Sequence, residues 1–190
     1  MSRRAQKKQA TRMAIIQAAS RLFAEHGYAA TRTRDIAEAA GIATGTLFNY
    51  AKTKEDIVLL IWKSRARALA DQGLVDAAAC PDPVQGLVAI FGPILEFYAE
   101  DLDLGRVFLQ QAIYAPPTDP EMARLNEGFI GEIAVLLTPH AGGRAFFAAG
   151  NAFAAYYLVL TSMLAGKTDA VGAAALFREL VEVQRLGWAP

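Results

Sequence analysis

Apolar residues recur along most of the chain at intervals of three and four positions, which is the spacing of one face of an α-helix. From Thr11 onwards the first such stripe consists of Ile15, Ala19, Leu22 and Phe23, and a glycine typical of a helix end follows it. Similar stripes fill the rest of the chain, where Gly, Pro and Asp separate them. The pattern predicts an all-α fold of about nine helices.

Two short helices joined by a tight turn are predicted after the first helix. The first of them runs from Thr33, which can cap it, to Gly41, and the second from about Thr44 to Tyr50. A long helix then begins at Lys54. Two helices joined by a turn that contains glycine predict a helix-turn-helix, whose second helix normally enters the DNA major groove.

The charge of the chain differs between its two parts, although the net charge is zero. Residues 1–67 hold 13 Lys and Arg against 5 Asp and Glu, whereas residues 68–190 hold 6 against 14. This asymmetry indicates that one part meets a polyanion, and a chance distribution of solvated charge is the alternative. An N-terminal arm carries Arg3, Arg4, Lys7, Lys8 and Arg12. We expect the arm to lie along the DNA backbone or the minor groove.

The predicted recognition helix carries small and polar side chains that suit contact with DNA. Asn49 has the amide that can pair with N6 and N7 of adenine, and Gly45 permits close approach. Arg34, at the start of the preceding helix, can reach a guanine edge or a phosphate. The expected phosphate contacts come from Thr33, Thr46, Tyr50 and Lys54.

These segments resemble the N-terminal domain of TetR-family transcriptional regulators over roughly residues 11–60. The resemblance rests on Gly27-Tyr28, Thr31, RDIAEAAGI (34–42), GTLFNY (45–50) and KTKED (52–56). It implies an all-helical homodimer in which a three-helix DNA-binding domain precedes a larger helical domain for ligand binding and dimerisation. It also implies that Arg34, Thr44, Gly45 and Asn49 lie near base edges, and Thr33, Thr46, Tyr50 and Lys54 near phosphates.

Three residues depart from the family pattern. Phe48 stands among the DNA-binding residues where Tyr is usual, so one phosphate hydrogen bond worth about 1 kcal/mol is missing. Ala43 occupies the usual position of a capping Ser, and Ala51 that of a common Phe. We therefore expect lower affinity than in relatives with the full pattern.

The predicted domain boundary follows residue 53, so residues 1–53 bind DNA and residues 54–190 bind an effector and dimerise. The last two predicted helices, 142–166 and 169–187, are rich in Ala, Gly and large apolar residues. By resemblance they form a four-helix interface with a second copy of the chain. The alternative is that they are core helices within one chain.

Effector-binding residues are the least defined part of the sequence. An aromatic side chain at helical spacing is core more often than a ligand contact, whereas a polar group in apolar surroundings needs a partner. An amide there can orient a ligand or pair across an interface, and the sequence favours neither. The candidates are Phe91, Tyr98, Phe108, Asn126, Asn151 and Tyr156. We expect a small, mostly apolar effector.

Catalytic and metal-binding patterns are not indicated by this sequence. Its single cysteine, Cys80, and its two histidines, His26 and His140, lie at spacings that match no metal site or nucleophile–base pair. We expect neither enzymatic activity nor a cofactor. The sequence also predicts no signal peptide and no membrane span, and hence a cytoplasmic protein.

The residues together predict a DNA-binding transcriptional regulator. We expect a repressor that a small apolar effector releases from a palindromic operator. The alternative is a constitutive architectural DNA-binding protein without an effector.

Overall fold

The computed structural model describes residues 2–114 and 120–188, without the side chains of 111–114 and 120–126. The helices in these ranges are α1 (Arg3–His26), α2 (Thr33–Ala39), α3 (Thr44–Leu47), α4 (Lys54–Ala78), α5 (Pro83–Glu100), α6 (Leu102–Tyr114), α7 (Pro120–Ala141), α8 (Ala145–Leu164) and α9 (Ala170–Arg185). A short 3-10 turn, Gly142–Arg144, joins α7 to α8. The same ranges contain no β-strand, so the predicted all-α fold class is confirmed.

The chain divides into two compact units, which we call the head (residues 1–65) and the body (residues 66–190). Helix α4 begins in the head and ends in the body. The division lies 12 residues beyond the predicted boundary after residue 53, because the first turns of α4 belong to the head. Ile57 and Val58 in those turns are both fully buried.

The core of the head fixes the position of α3. Ile15 on α1, Ile36 on α2 and Leu47 on α3 are each 0% exposed. Helix α2 contacts both α1 and α3. Burying each of these side chains contributes about 1.5–3 kcal/mol, so three anchored residues orient the predicted recognition helix.

The loop between α1 and α2 is held by Thr31, which is buried. Its hydroxyl donates to the carbonyl oxygens of Leu22 at 3.2 Å and Gly27 at 2.9 Å. Gly27 has a φ of +80°, which an L side chain rarely adopts, and it ends α1 as the sequence predicts. The loop therefore leaves α1 in a defined direction.

Lys54, the first residue of α4, is tied to the same loop. Its ammonium donates to the carbonyl oxygen of Tyr28 at 2.8 Å. It also donates to the carbonyl oxygens of Ala29 and Thr31, both at 3.3 Å. The ammonium lies 4.2 Å from the centre of the Tyr28 ring, a favourable cation–π distance. We call this set of interactions the Lys54 clamp.

Tyr28 makes a second link between the loop and α4. Its hydroxyl donates to the carboxylate of Glu55 at 2.8 Å, and its ring packs 5.4 Å from that of Phe23. Burial and the bond to Glu55 raise the pKa of Tyr28 above its ordinary value. The pKa of Glu55 is lowered, first by its own backbone hydrogen bond and then by Tyr28. Tyr28 is thus a neutral donor and Glu55 an ionised acceptor at neutral pH.

The start of α4 is also capped by its own residues. The carboxylate of Asp56 accepts from the backbone amides of Lys52 at 2.9 Å and Thr53 at 3.0 Å. The hydroxyl of Thr53 in turn accepts from the amide of Asp56 at 3.1 Å. This reciprocal capping box fixes where Lys54 enters the helix.

Two helix lengths differ from the sequence-based expectation. Helix α1 begins at Arg3 rather than near Thr11, because no Gly or Pro interrupts the preceding residues and Ser2 caps the helix. Helix α3 ends at Leu47 rather than at Tyr50. Residues 48–50, which were expected to be helical, form a turn instead, in which the Tyr50 amide donates to the Leu47 carbonyl oxygen at 2.8 Å.

The body is built around α5, α8 and α9. Helix α5 contacts α9, and α8 contacts both α7 and α9. Asp82 caps α5 by accepting from the amide of Val84 at 3.0 Å, and Pro83 occupies the first helical position. Phe91 on α5 and Phe177 on α9 are almost completely buried in this core.

Helices α4 and α5 approach each other closely at Gly73. A methyl group at this position would lie 2.7 Å from the Cα of Ile90 and 2.9 Å from the carbonyl oxygen of Ala89. Backbone atoms cannot move aside as a flexible side chain can, so this crossing requires glycine.

One segment of the body, Glu127–Leu164, is long and apolar enough to cross a membrane by length and composition alone. Half of its most apolar stretch is buried inside the body, and the 3-10 turn at Gly142–Arg144 interrupts the segment. Core helices meet the same criterion, so the segment is weak evidence for a membrane span.

We predict that Lys54→Met loosens the loop before α2. The substitution keeps the apolar stem and removes the charged hydrogen bonds, which lowers the local opening free energy by about 1–2 kcal/mol. The amides of Asp35 and Ile36, which donate to the Arg32 carbonyl oxygen directly after this loop, should then exchange with solvent roughly 5–30 times faster. Hydrogen exchange read by mass spectrometry measures this rate.

The matched control is Lys52→Met, which removes an exposed lysine two residues earlier. This variant should leave exchange of the Asp35 and Ile36 amides unchanged. If both variants exchange alike, the Lys54 clamp does not stabilise the loop.

Candidate nucleic-acid interface

The outer side of α3 is accessible to solvent. Phe48 and Asn49 come three and four residues after Gly45 and so lie on the same side, and all three are exposed. Leu47 lies on the opposite face and is fully buried. The other predicted contacts are either exposed, as for Arg34, or half-buried, as for Thr33, Thr44, Thr46 and Tyr50.

Gly45 is not required by the packing of the head itself. A methyl group at this position would meet nothing within 4 Å. Its φ is also not positive, in contrast to Gly27 and Gly41. The small size of this residue therefore leaves free space on the outer side of α3.

Phe48 and Ala43 show what the departures from the family pattern do. The phenyl ring of Phe48 is 45% exposed on the outer side of α3 and has no hydroxyl to donate. Ala43 precedes α3 without a side-chain capping bond. Ala51 is only 3% exposed, so this small residue packs inside the head.

The start of α2 differs from the expectation that Thr33 caps the helix. Thr33 is its first helical residue, and Arg32 precedes it as the cap. The reason is that Asp35 accepts the backbone amide of Arg32 at 3.3 Å and so closes the helix end one residue earlier. The Thr33 side chain remains half-exposed next to Arg34.

Arg34 and Lys54 differ in what occupies their charged groups. In the part of the chain that the structure describes, Arg34 is exposed and forms no ion pair, so its guanidinium is available on the surface. The ammonium of Lys54 is engaged with three carbonyl oxygens inside the head. Lys54 thus has a structural contact that the sequence did not indicate, and its predicted phosphate contact stays a prediction.

The basic arm is helical rather than extended. Arg4, Lys8 and Arg12 lie four residues apart on one face of α1, and Arg3 and Lys7 lie beside them. All except Arg12 are exposed. The cations of the arm therefore form a row along the first turns of α1.

Aromatic side chains of the body form one packed cluster around Phe91. Its ring lies 4.9 Å from that of Tyr156, 5.1 Å from Phe177 and 5.8 Å from Phe129. The rings of Tyr98 and Phe108 lie 5.9 Å apart, and both are buried. Four predicted effector residues, Phe91, Tyr98, Phe108 and Tyr156, are therefore core residues in this conformation.

Two phenols in this cluster are hydrogen-bonded to each other, those of Tyr98 and Tyr156. Burial is the largest cause that raises the pKa of both. Both hydroxyls therefore stay protonated at neutral pH, and with the neighbouring phenol of Tyr157 they bring polar groups into the aromatic cluster.

The two predicted effector amides have different outcomes. Asn151 was expected in apolar surroundings, but the structure places its side chain on the exposed side of α8. The expectation was wrong about burial, because the flanking Ala152 and Ala155 take the inward positions. Asn126 lies outside the residues whose side chains are described.

Sequence reasoning missed the partners of the Lys54 clamp. Tyr28 lies in the segment Gly27-Tyr28 and Glu55 in KTKED (52–56), and neither segment alone indicates that the two residues are partners. The available signal was an aromatic residue in the loop before α2 together with a Lys-Glu pair at the start of α4, since such groups attract each other.

Comparisons with known proteins support this geometry. The sequence model of a family described as "Bacterial regulatory proteins, tetR family" matches residues 15–61. Over 53 residues the chain is 43% identical to the fatty acid metabolism regulator protein of Bacillus subtilis, which is 28% of this chain and 27% of that protein. The chain spans between 22% and 45% of the length of the curated relatives it matches.

Solved structures extend the similarity of the fold to the body. A FadR repressor of Thermus thermophilus in complex with lauroyl-CoA has a TM-score of 0.65 at 24% identity, covering 90% of this chain and 92% of that one. A TetR regulator from Rhodococcus sp. RHA1 has a TM-score of 0.68 at 16% identity, covering 94% and 96%. At such identities the likeness shows the fold alone. The chain is therefore similar to tetR-family regulatory proteins in sequence over residues 15–61 and in fold over most of its length.

Proposed function

We propose that the chain is a transcriptional repressor that binds duplex DNA through the outer side of α3. The observation that carries this proposal is the face formed by Gly45, Phe48 and Asn49, which is exposed above a fully buried Leu47. A helix whose buried side is anchored in a core, and whose exposed side carries small and amide side chains, suits binding in a DNA major groove. The helical row of cations on α1 supplies salt-dependent attraction to phosphates. A protein with this function acts in the cytoplasm, where its DNA lies.

We propose further that a small, mostly apolar effector releases the repressor from DNA. The neighbouring repressor from Thermus thermophilus was solved with lauroyl-CoA, and FadR of Bacillus subtilis with stearoyl-CoA. Molecules with an apolar acyl chain are therefore the first candidates for this chain, and acyl-CoA thioesters, whose coenzyme A part is large and charged, extend the proposal beyond a small apolar effector. Helix α4 supports such a response, because it runs without interruption from the Lys54 clamp into the body. An effector that displaces α4 would disturb the loop before α2.

We also propose a homodimer formed through α8 and α9. The inner faces of these helices pack against each other, whereas their outer faces expose large apolar side chains. The exposed residues are Phe146, Phe147, Leu158, Val171, Val183 and Leu186. Apolar surface of this extent is typical of an interaction site, and a two-fold pair of recognition helices would read a palindrome.

We predict that Asn49→Ala relaxes base preference at one operator position. Loss of a bidentate contact costs about 1–3 kcal/mol there and leaves affinity for random DNA nearly unchanged. Selecting bound duplexes from a random pool and sequencing them measures the preference. Lys8→Ala is the contrasting variant, and it should weaken binding to all sequences and lower the salt slope by about 1. Equal losses on selected and random DNA for both variants would contradict the assignment of Asn49.

We predict that lauroyl-CoA raises the apparent Kd for the selected duplex by about 5- to 150-fold, the usual range of coupling between two sites. Fluorescence anisotropy of the labelled duplex measures the effect, and free coenzyme A is the control. DNA binding that is unchanged by lauroyl-CoA, by stearoyl-CoA and by a panel of apolar aromatic compounds would instead favour a constitutive architectural protein.

We predict that Phe147→Asp dissociates the dimer. Phe147 is 73% exposed in the single chain, and a carboxylate there would be buried unpaired, so the dissociation constant should rise about 100-fold or more. Sedimentation velocity distinguishes the 20.4 kDa chain from its dimer. Val75→Asp, which changes a valine on α4 that is 67% exposed, should leave the dimer intact. A dimer that persists in Phe147→Asp would contradict this interface.

A further inference from the structure

A cleft of about 250 Å³ lies in the body at the end of α4. Its walls are the last turn of α4, the segment before α5, the first turns of α5 and the second half of α7. Phe91, Tyr98, Phe108 and Tyr156 are not among its lining residues, so the cleft is separate from the aromatic cluster.

Small side chains shape the cleft. Ala77 and Ala78 on α4 and Gly86 on α5 line it. A methyl group on Gly86 would lie 3.5 Å from the Cβ of Ala77, which is ordinary contact, so the two helices are close without a clash. The cleft therefore exists because the side chains on these two helices are short, and not because the helices are far apart.

The lining changes from core to surface along the cleft. Leu87 and Ile90 on α5 and Ile133 on α7 are at most 1% exposed and form its inner wall. Val135 on α7 is 73% exposed and lies at the rim. Apolar surface in a concave site gains most when an apolar group displaces water from it.

Two polar side chains contribute to the lining. The thiol of Cys80 is half-buried and lies 3.5 Å from the carbonyl oxygen of Asp76. His140, in the last turn of α7, is exposed. The described lining contains no Asp, Glu, Lys or Arg, so it offers no fixed charge to an ionic ligand.

We infer that this cleft binds a small apolar molecule that carries one hydrogen-bonding group. The apolar part lies against the accessible lining residues Pro83, Leu136 and Pro139, beneath which the core residues lie, and the polar group faces His140 and Cys80. The volume is slightly below the roughly 300–1,000 Å³ of sites for drug-sized ligands, which fits a short alkyl chain or a single ring. This inference concerns the body alone and does not require the proposed DNA binding.

Cys80 provides a direct measurement, because it is the only cysteine of the chain. The rate at which iodoacetamide alkylates the full-length protein reports access to the cleft. With 1-hexanol as the probe, at about four times its Kd, mass action predicts about fivefold slower alkylation. A rate that 1-hexanol leaves unchanged would overturn the inference.

Ala78→Phe and Ala79→Phe form a matched pair. Both residues are exposed at the end of α4, but only Ala78 lines the cleft. Ala78→Phe should fill the cleft and abolish the effect of 1-hexanol, whereas Ala79→Phe should retain it. Equal protection in the two variants would show that 1-hexanol acts elsewhere and overturn the site.

A second pair keeps the inference testable if Ala78→Phe fails to fold. Val135→Asp places a charge at the rim and should reduce protection by 1-hexanol, whereas Val75→Asp on α4 should not. Alkylation of the unmodified chain should also be independent of protein concentration. A rate that falls as concentration rises would assign the cleft to a second copy of the chain and overturn the inference.

Discussion

A helix of four residues such as α3 has no stability of its own, because nucleation costs more than one turn of hydrogen bonds returns. Its position depends on burial of Leu47 in a core shared with Ile36 and Ile15. That contact makes the exposed side of α3 a rigid surface rather than a fluctuating loop. Without it, the exposed residues Gly45, Phe48 and Asn49 would have no fixed arrangement relative to one another.

The Lys54 clamp shows how one side chain serves the same surface from a distance. The ammonium crosslinks the loop before α2 to the first turn of α4, and Tyr28 and Glu55 add a second link. Helix α4 is therefore joined to the loop before α2 by charged and aromatic contacts. This joint explains why the first turns of α4 fold with the head rather than with the body.

Much of the head could be predicted because its signals are local. The spacing of apolar residues marks Ile15 and Leu47 as buried, and glycines mark the helix ends. Contacts between residues distant in sequence, such as that of Lys54 with Tyr28, produce no repeating pattern of apolar residues. A lysine at the start of a helix is equally compatible with exposure to solvent. In the body, Phe91 was predictable as core or ligand contact, but the side of α8 on which Asn151 lies was not. That helix is apolar almost all round, so periodicity gives it no inward face.

The close approach at Gly73 limits how the body can change shape. The Gly73 backbone faces the Cα of Ile90 and the carbonyl oxygen of Ala89, and these backbone atoms cannot yield as a flexible side chain can. Any change of shape in the body has to keep this contact or separate the two helices, so one missing methyl group sets how closely α4 and α5 lie.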